Sequence, residues 1–173
     1  MSQLSLYKQN VELYLSIPPS HSREPLTAVQ EHMDSLILSK LPQVKGIVLA
    51  YENVKFLEKA AKIMYDSPFS FVWVSVDVLL FSPEKDDRLE GQVNLVSPSH
   101  IGLLVMGIFN ASIPRECIPS TWSFIEPSTT EEQGKWKTDE GEIVEPGSKL
   151  KFRVNGLHWE AGVTLVHGNL IAS

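Results

Sequence analysis

The stretch Leu89 to Pro114, LEGQVNLVSPSHIGLLVMGIFNASIP, decides how the chain is read. Leu89, Gly91, Val93 and Leu95 fall on one side of an alternating segment, with Glu90, Gln92 and Asn94 on the other. That alternation marks a strand, and the glycine at its centre marks a bend. Ser97, Pro98 and Ser99 turn the chain into a second apolar strand, His100 to Val105. A Met106-Gly107 turn then leads into a third, Ile108 to Ile113. A bending strand followed by a meander is how a small, strongly coiled barrel begins.

Around this core the bulk properties are those of a folded, soluble protein. The 173 residues suffice for one ordinary domain or two small ones. A hydrophobic content of 43% and a charged content of 21% exclude wholesale disorder. The N-terminus, MSQLSLYKQN, lacks the basic and apolar regions of a secretory signal. The apolar run Phe69 to Phe81 is broken by Ser70, Ser75 and Asp77 and falls short of the ~20 residues of a membrane helix. A single cysteine, Cys117, forms no internal disulfide and suits a reducing, intracellular compartment. Net charge is −6, split as 7 basic and 8 acidic residues up to Ser82 and 8 basic and 13 acidic beyond it. Contact with nucleic acid must therefore be a local patch rather than a whole-surface field.

Residues 1–82 read as a first, α+β domain. Val11, Leu13, Leu15 and Ile17 alternate with Glu12, Tyr14 and Ser16 in a half-buried strand that Pro18 and Pro19 end. Pro25 opens a helix, with Thr27 and Gln30 as an alternative capping-box start. Leu26, Val29, Met33, Leu36, Ile37 and Leu41 form its apolar stripe, and Pro42 stops it. A strand from Val44 to Tyr51 follows, with Asn53 to Phe56 as its continuation or a turn. In Phe71 to Phe81 the even positions from Val72 to Leu80 form an unbroken aliphatic face for the helix. The odd face carries Phe71, Trp73, Leu79 and Phe81, the candidate surface for another protein; alternatively, Phe71 and Trp73 finish a small core. Ser82 to Asp87, SPEKDD, is the polar junction at which the domains part.

Residues 83–173 read as a second, all-β domain. Beyond Pro114 the pattern thins: Arg115 to Ile125 suits a short helix or loop, and Glu126 to Gly134 a mobile acidic loop. Short strands resume at Lys135 to Thr138 and Gly141 to Val144, followed by a Pro146-Gly147 turn. Leu150, Phe152 and Val154 face a barrel interior, Gly156 to Gly162 turns the chain, and Val163 to Ile171 closes the barrel. Lys149, Lys151 and Arg153 then form an outward row about 13 Å long at roughly 3.3 Å per residue. Lys135 and Lys137, flanking Trp136, extend it. Cations along a backbone with a ring for stacking are what single-stranded nucleic acid uses. The competing reading is ordinary strand charge paired with Glu140, Glu142 or Glu145.

Catalytic and metal signatures do not assemble. His21, His32, His100, His158 and His167 are dispersed, and no CxxC or HExxH spacing occurs. His100 at a strand start reads as structural, and Cys117 has no neighbouring base. No cofactor is implied, and the chain reads as a non-catalytic subunit.

The wording of the opening stretch goes further. From Leu89 to Pro114 the pattern L-x-G-x-V-N-x-V-S-x-x-H-I-G-x-L-V-x-G-x-F-N-A-S-I-P resembles the start of the OB-fold barrel in the larger stalk subunits of eukaryotic RNA polymerase I. The likeness extends to the proline-ended first strand, to the Pro25 helix with Gln30, Leu36 and Leu38, and to GIVLAYENVK from Gly46 to Lys55. It implies a tip domain of one long helix on a small antiparallel sheet, followed by an all-β OB-fold barrel. It also implies partners: a smaller stalk subunit bound across both domains, polymerase I core subunits, and the initiation factor for ribosomal RNA genes. Weak, non-specific contact with single-stranded nascent RNA is the hypothesis that the basic row adds, against the reading of that row as solvated charge; the nucleus and nucleolus are the expected location. Some members carry a long polar tail after the barrel, whereas this sequence ends at Ser173, a departure that puts the role of such a tail in doubt. The alternatives are a stalk subunit of RNA polymerase II or III, and a free-standing OB-fold RNA-binding protein.

Overall fold

A computed structural model describes residues 5–63, 66–160 and 162–171. Met1 to Leu4, read above for a targeting signal, Ala161 within the expected 156–162 turn, and the last two residues lie outside them. The chain divides into two compact units, Leu6–Ser82 and the residues from Pro83 onward together with Ser5.

In the first unit β1 (Leu6–Ile17) pairs antiparallel with β4 (Ser70–Phe81), from Leu6 opposite Phe81 to Ile17 opposite Ser70. The other side of β4 holds β2 (Ile47–Phe56) and the short β3 (Lys62–Ile63). Both strand alternations emerge as read: Val11, Leu13, Leu15 and Ile17, and Val72 to Leu80 at even positions, are buried in one cluster. Helix α1 (Pro25–Leu36) adds Ala28, Val29 and Met33 to it. Each fully buried Val, Leu or Met contributes about 1.5–3 kcal/mol of hydrophobic free energy, which explains why so small a sheet holds its helix.

The helix ends five residues before the expected Leu41. Ile37 is extended and Leu38 has φ +64°. Leu38 N–H donates to Val48 O at 2.7 Å and Val48 N–H to Ser39 O at 3.0 Å, so β2 captures the segment. Those tertiary bonds replace further helical ones. As a result Ile37 of the expected stripe is exposed and Leu41 is buried from outside the helix; Leu26, in the first turn, is exposed as well. The start is at Pro25, after Glu24, with no side-chain cap; the Thr27 capping box does not open it. Asn53 to Phe56 continues β2 through a register shift between Glu52 and Lys55, with Asn53 at φ +54°.

In the second unit five strands close a barrel in the order β11-β12-β7-β6-β5. They are β5 (Arg88–Val96), β6 (His100–Val105), β7 (Phe109–Pro114), β11 (Lys149–Glu160) and β12 (Val163–Asn169). The β12–β7 contact is parallel and the others are antiparallel. Leu89 and Val93 are buried, and a Cβ at Gly91 would stand 3.1 Å from Leu103 Cβ, so the glycine lets β5 and β6 close up. Leu95 departs from the expected side: a register shift between Val93 and Leu95 turns it outward and buries Val96 instead. Met106 and Gly107, at φ +53° and +68°, make the mirror-image turn that suits a hairpin, closed by Ile108 N–H on Val105 O at 3.1 Å.

Gly156 does not begin a turn. β11 runs on to Glu160, past an irregularity between Val154 and Gly156, and its outer half forms a hairpin with β12. Between β7 and β11 the chain inserts a separate three-stranded sheet: β8 (Ser123–Ile125), β9 (Lys135–Lys137) and β10 (Ile143–Val144). Residues 126–134 form no strand or helix, yet Val96 N–H donates to Gln133 Oε1 at 2.9 Å and ties the segment to β5.

Candidate interaction surfaces

The first candidate surface is the odd face of β4. Antiparallel register sets Tyr14 of β1 opposite Trp73 and Ser16 opposite Phe71. Three rings therefore meet: Tyr14 lies 5.0 Å from Trp73 and 5.6 Å from Phe71, centroid to centroid, the latter pair stacked. Tyr14 is 42% and Trp73 40% exposed, so the cluster lies on the surface instead of completing a core. Such pairs contribute about 0.5–1.5 kcal/mol beyond their buried area. Leu79 is also exposed, beside a shallow hollow of about 180 Å³ that Lys8, Tyr51, Glu52 and Asp77 line with it. Phe81 corrects the sequence reading: it is 0% exposed and has no place on this surface. Its position between Leu6 and Ile47, its partners on either side, is invisible in the alternation of one strand.

Between the aromatic cluster and Leu79 the face is polar and internally satisfied. Asp77 accepts from Asn10 Nδ2 at 2.8 Å and Asn53 Nδ2 at 2.9 Å, and these two bonds hold its pKa below the usual carboxylate value. Lys8 and Glu52 form an ion pair, and that hydrogen bond raises the lysine pKa. Tyr51 Oη donates to Asp34 Oδ1 at 2.7 Å, which raises the phenol pKa. Tyr14 was missed as a site residue because its neighbours Glu12 and Ser16 make that side look merely solvated.

The second candidate surface is the cationic row on β11. Lys149 and Lys151 are exposed and Arg153 is half-buried. Pairing with β5 sets Lys149 opposite Gln92, Lys151 opposite Glu90, and Arg153 opposite Arg88. Arg88 thus joins the row, an addition readable only from the register. A cleft of about 390 Å³ runs beside it, lined by Arg88, Glu90, Gln92, Leu104, Met106, Lys149 and Lys151.

Lys135, Trp136 and Lys137 belong to the inserted sheet instead. Trp136 is 1% exposed: Nε1–H donates to Ser97 O at 3.1 Å, Phe124 meets the ring edge-on, and the Arg115 guanidinium lies 5.0 Å from its centroid. It is a core residue and offers no face to a base. Lys135 is held by Glu145 at 2.9 Å, a hydrogen bond that raises its pKa. The sequence reading of this trio as an extended stacking platform is corrected accordingly.

His100 is structural, its Nδ1 lying 3.2 Å from Ser97 Oγ and 3.0 Å from Ser99 Oγ within the turn. Cys117 Sγ takes a bond from Asn155 Nδ2 at 3.6 Å. Among the described residues no group of three or more His, Cys, Asp or Glu is placed to hold a metal ion, and no helix is long and apolar enough to cross a membrane.

The profile of the RPA43 OB domain in RNA Pol I matches residues 83–171. That of the SHS2 domain found in the N terminus of Rpb7p/Rpc25p/MJ0397 matches residues 12–68. The chain is 69% identical to the DNA-directed RNA polymerase I subunit rpa43 of Schizosaccharomyces pombe, over 100% of both sequences. It is 33% identical to the probable DNA-directed RNA polymerase I subunit RPA43 of Dictyostelium discoideum over 85% of this chain, and 32% identical to the Homo sapiens subunit RPA43 over 91%. Those two matches span 40% and 42% of the longer relatives.

Proposed function

The chain belongs to the RPA43 family, the larger stalk subunits of RNA polymerase I, and on that footing we propose that it is a non-catalytic bracket of the enzyme that transcribes ribosomal RNA genes in the nucleolus. It binds a smaller stalk subunit, anchors to the polymerase core and offers a docking surface to the initiation factor. Bond-making in RNA synthesis belongs to other subunits. The observation that carries this reading is the end-to-end 69% identity to the fission-yeast polymerase I subunit. The aromatic cluster of exposed Tyr14 and Trp73 with half-buried Phe71 supports a protein-binding role for the first unit, since aromatic side chains are favoured anchors at interfaces.

Contact with emerging RNA is the finer part of the proposal. Arg88, Lys149, Lys151 and Arg153 are positioned on adjacent strands to follow a phosphodiester backbone. With Trp136 buried, that contact is electrostatic and carries no stacking from this ring. Crosslinking mass spectrometry on the endogenous complex tests the whole reading. The lysines at positions 8, 55 and 62 should link to polymerase I core or stalk subunits. Links confined to this chain, or reaching polymerase II or III subunits, contradict it.

A further inference from the structure

The cleft beside the cationic row has walls of different chemistry on the strands that line it. Antiparallel register sets Lys149 of β11, Gln92 of β5 and Leu104 of β6 in one line across the outer face of the barrel. At about 4.8 Å between neighbouring strands, the lysine and the leucine stand roughly 10 Å apart. Lys149 and Lys151 lie about 6.6 Å apart along β11, close to the spacing of consecutive phosphates in an extended single strand. The opposite wall is apolar, from half-buried Leu104 and from exposed Met106 of the hairpin turn. Between the two walls β5 contributes Gln92 and Glu90, the latter opposite Lys151. Among the described residues neither Glu90 nor either lysine has a side-chain hydrogen bond or ion pair, although Glu90 and Lys151 are directly opposed.

We propose that this cleft holds one guanine nucleotide of single-stranded RNA and that Glu90 selects the base. Two lysines on one strand fit a phosphodiester chain, and the apolar wall fits the flat face of a base. A carboxylate between them repels phosphate, so its ligand must be a donor group. Guanine alone among the four RNA bases sets two adjacent donors, N1–H and N2–H, on its Watson–Crick edge, where both carboxylate oxygens accept. Adenine and cytosine place an acceptor nitrogen beside their amino group, and uracil flanks its one N–H with two carbonyls. Each of those three would turn lone pairs toward Glu90. The volume of about 390 Å³ lies at the small end of ligand sites, roughly 300–1,000 Å³, as suits a single nucleotide. The inference rests on the RNA contact proposed above and adds to it a base preference that phosphate contacts do not supply.

Equilibrium binding of the full chain to two RNA octamers at low salt tests it, one of uridines only and one with a guanosine at its centre. The guanosine octamer should bind about tenfold more tightly, the effect of one bidentate base contact. Glu90→Gln keeps the side-chain shape but turns one acceptor into a donor, and should bring the two octamers within about twofold of each other. Lys149→Gln with Lys151→Gln should weaken both octamers and keep the ratio between them. Guanosine monophosphate alone should bind at least about tenfold more weakly than the guanosine octamer, because it lacks the flanking phosphates. Equal affinity of the wild type for both octamers overturns the inference, and so does a guanosine preference that survives Glu90→Gln. A monophosphate as tight as the octamer overturns the assignment to RNA. No measurable affinity for either octamer instead refutes the proposed RNA contact itself.

Discussion

Trp136 shows how a single side chain redirects the interpretation. Between two lysines it looks like a stacking ring, yet the same period of two that aligns Lys135 with Lys137 puts the indole on the opposite side of the strand. That signal was present in the sequence; the burial it led to, with a bond to Ser97 O, was not. Trp136→Ala should destabilise the protein by about 3–5 kcal/mol, measured by chemical denaturation. A loss under 1 kcal/mol would contradict its core role. Asp77 carries a different expectation. Its folded-state pKa is depressed by Asn10 and Asn53, so its contribution to stability is present above the unfolded carboxylate pKa and is lost as pH falls through the folded value. Asp77→Asn should therefore flatten the acid limb of the melting temperature against pH. An acid limb as steep as in the wild type would show that the two asparagine bonds contribute nothing there.

Strands and the helix were readable in unequal measure. Period-two alternation located β1, β4 and the β5–β7 meander, because each has one buried face. It failed where a tertiary hydrogen bond decides: the end of α1 is set by Leu38 on Val48, and the length of β11 by pairing with β12. The helix boundary has a measurable consequence. Met33→Ala should cost about 2–5 kcal/mol, whereas Ile37→Lys, at a 37% exposed site beyond the last turn, should stay within about 0.5 kcal/mol. Comparable losses from both would restore the longer helix. The cationic row was half visible, since Arg88 joins it only through the β5–β11 register. Changing Lys149, Lys151 and Arg153 together to glutamine should lower the slope of log affinity for single-stranded RNA against log salt by roughly 2. An unchanged slope would remove the row from any RNA contact.

Across the chain, two compact units carry candidate partner surfaces, and among the described residues no group of three or more His, Cys, Asp or Glu is placed to hold a metal ion. The motif from Leu89 to Pro114 revealed the family because so many of its positions match the family's wording. Which face meets which partner was hidden, because it depends on register and burial rather than on residue type. A role as a polymerase bracket makes attachment the property that matters. The composition of the complex recovered with the endogenous, tagged protein tests that property. Large subunits of RNA polymerase I and a smaller stalk partner should be present in amounts equal to the tagged chain. Recovery of the chain alone, or with the large subunits of another polymerase, would contradict it.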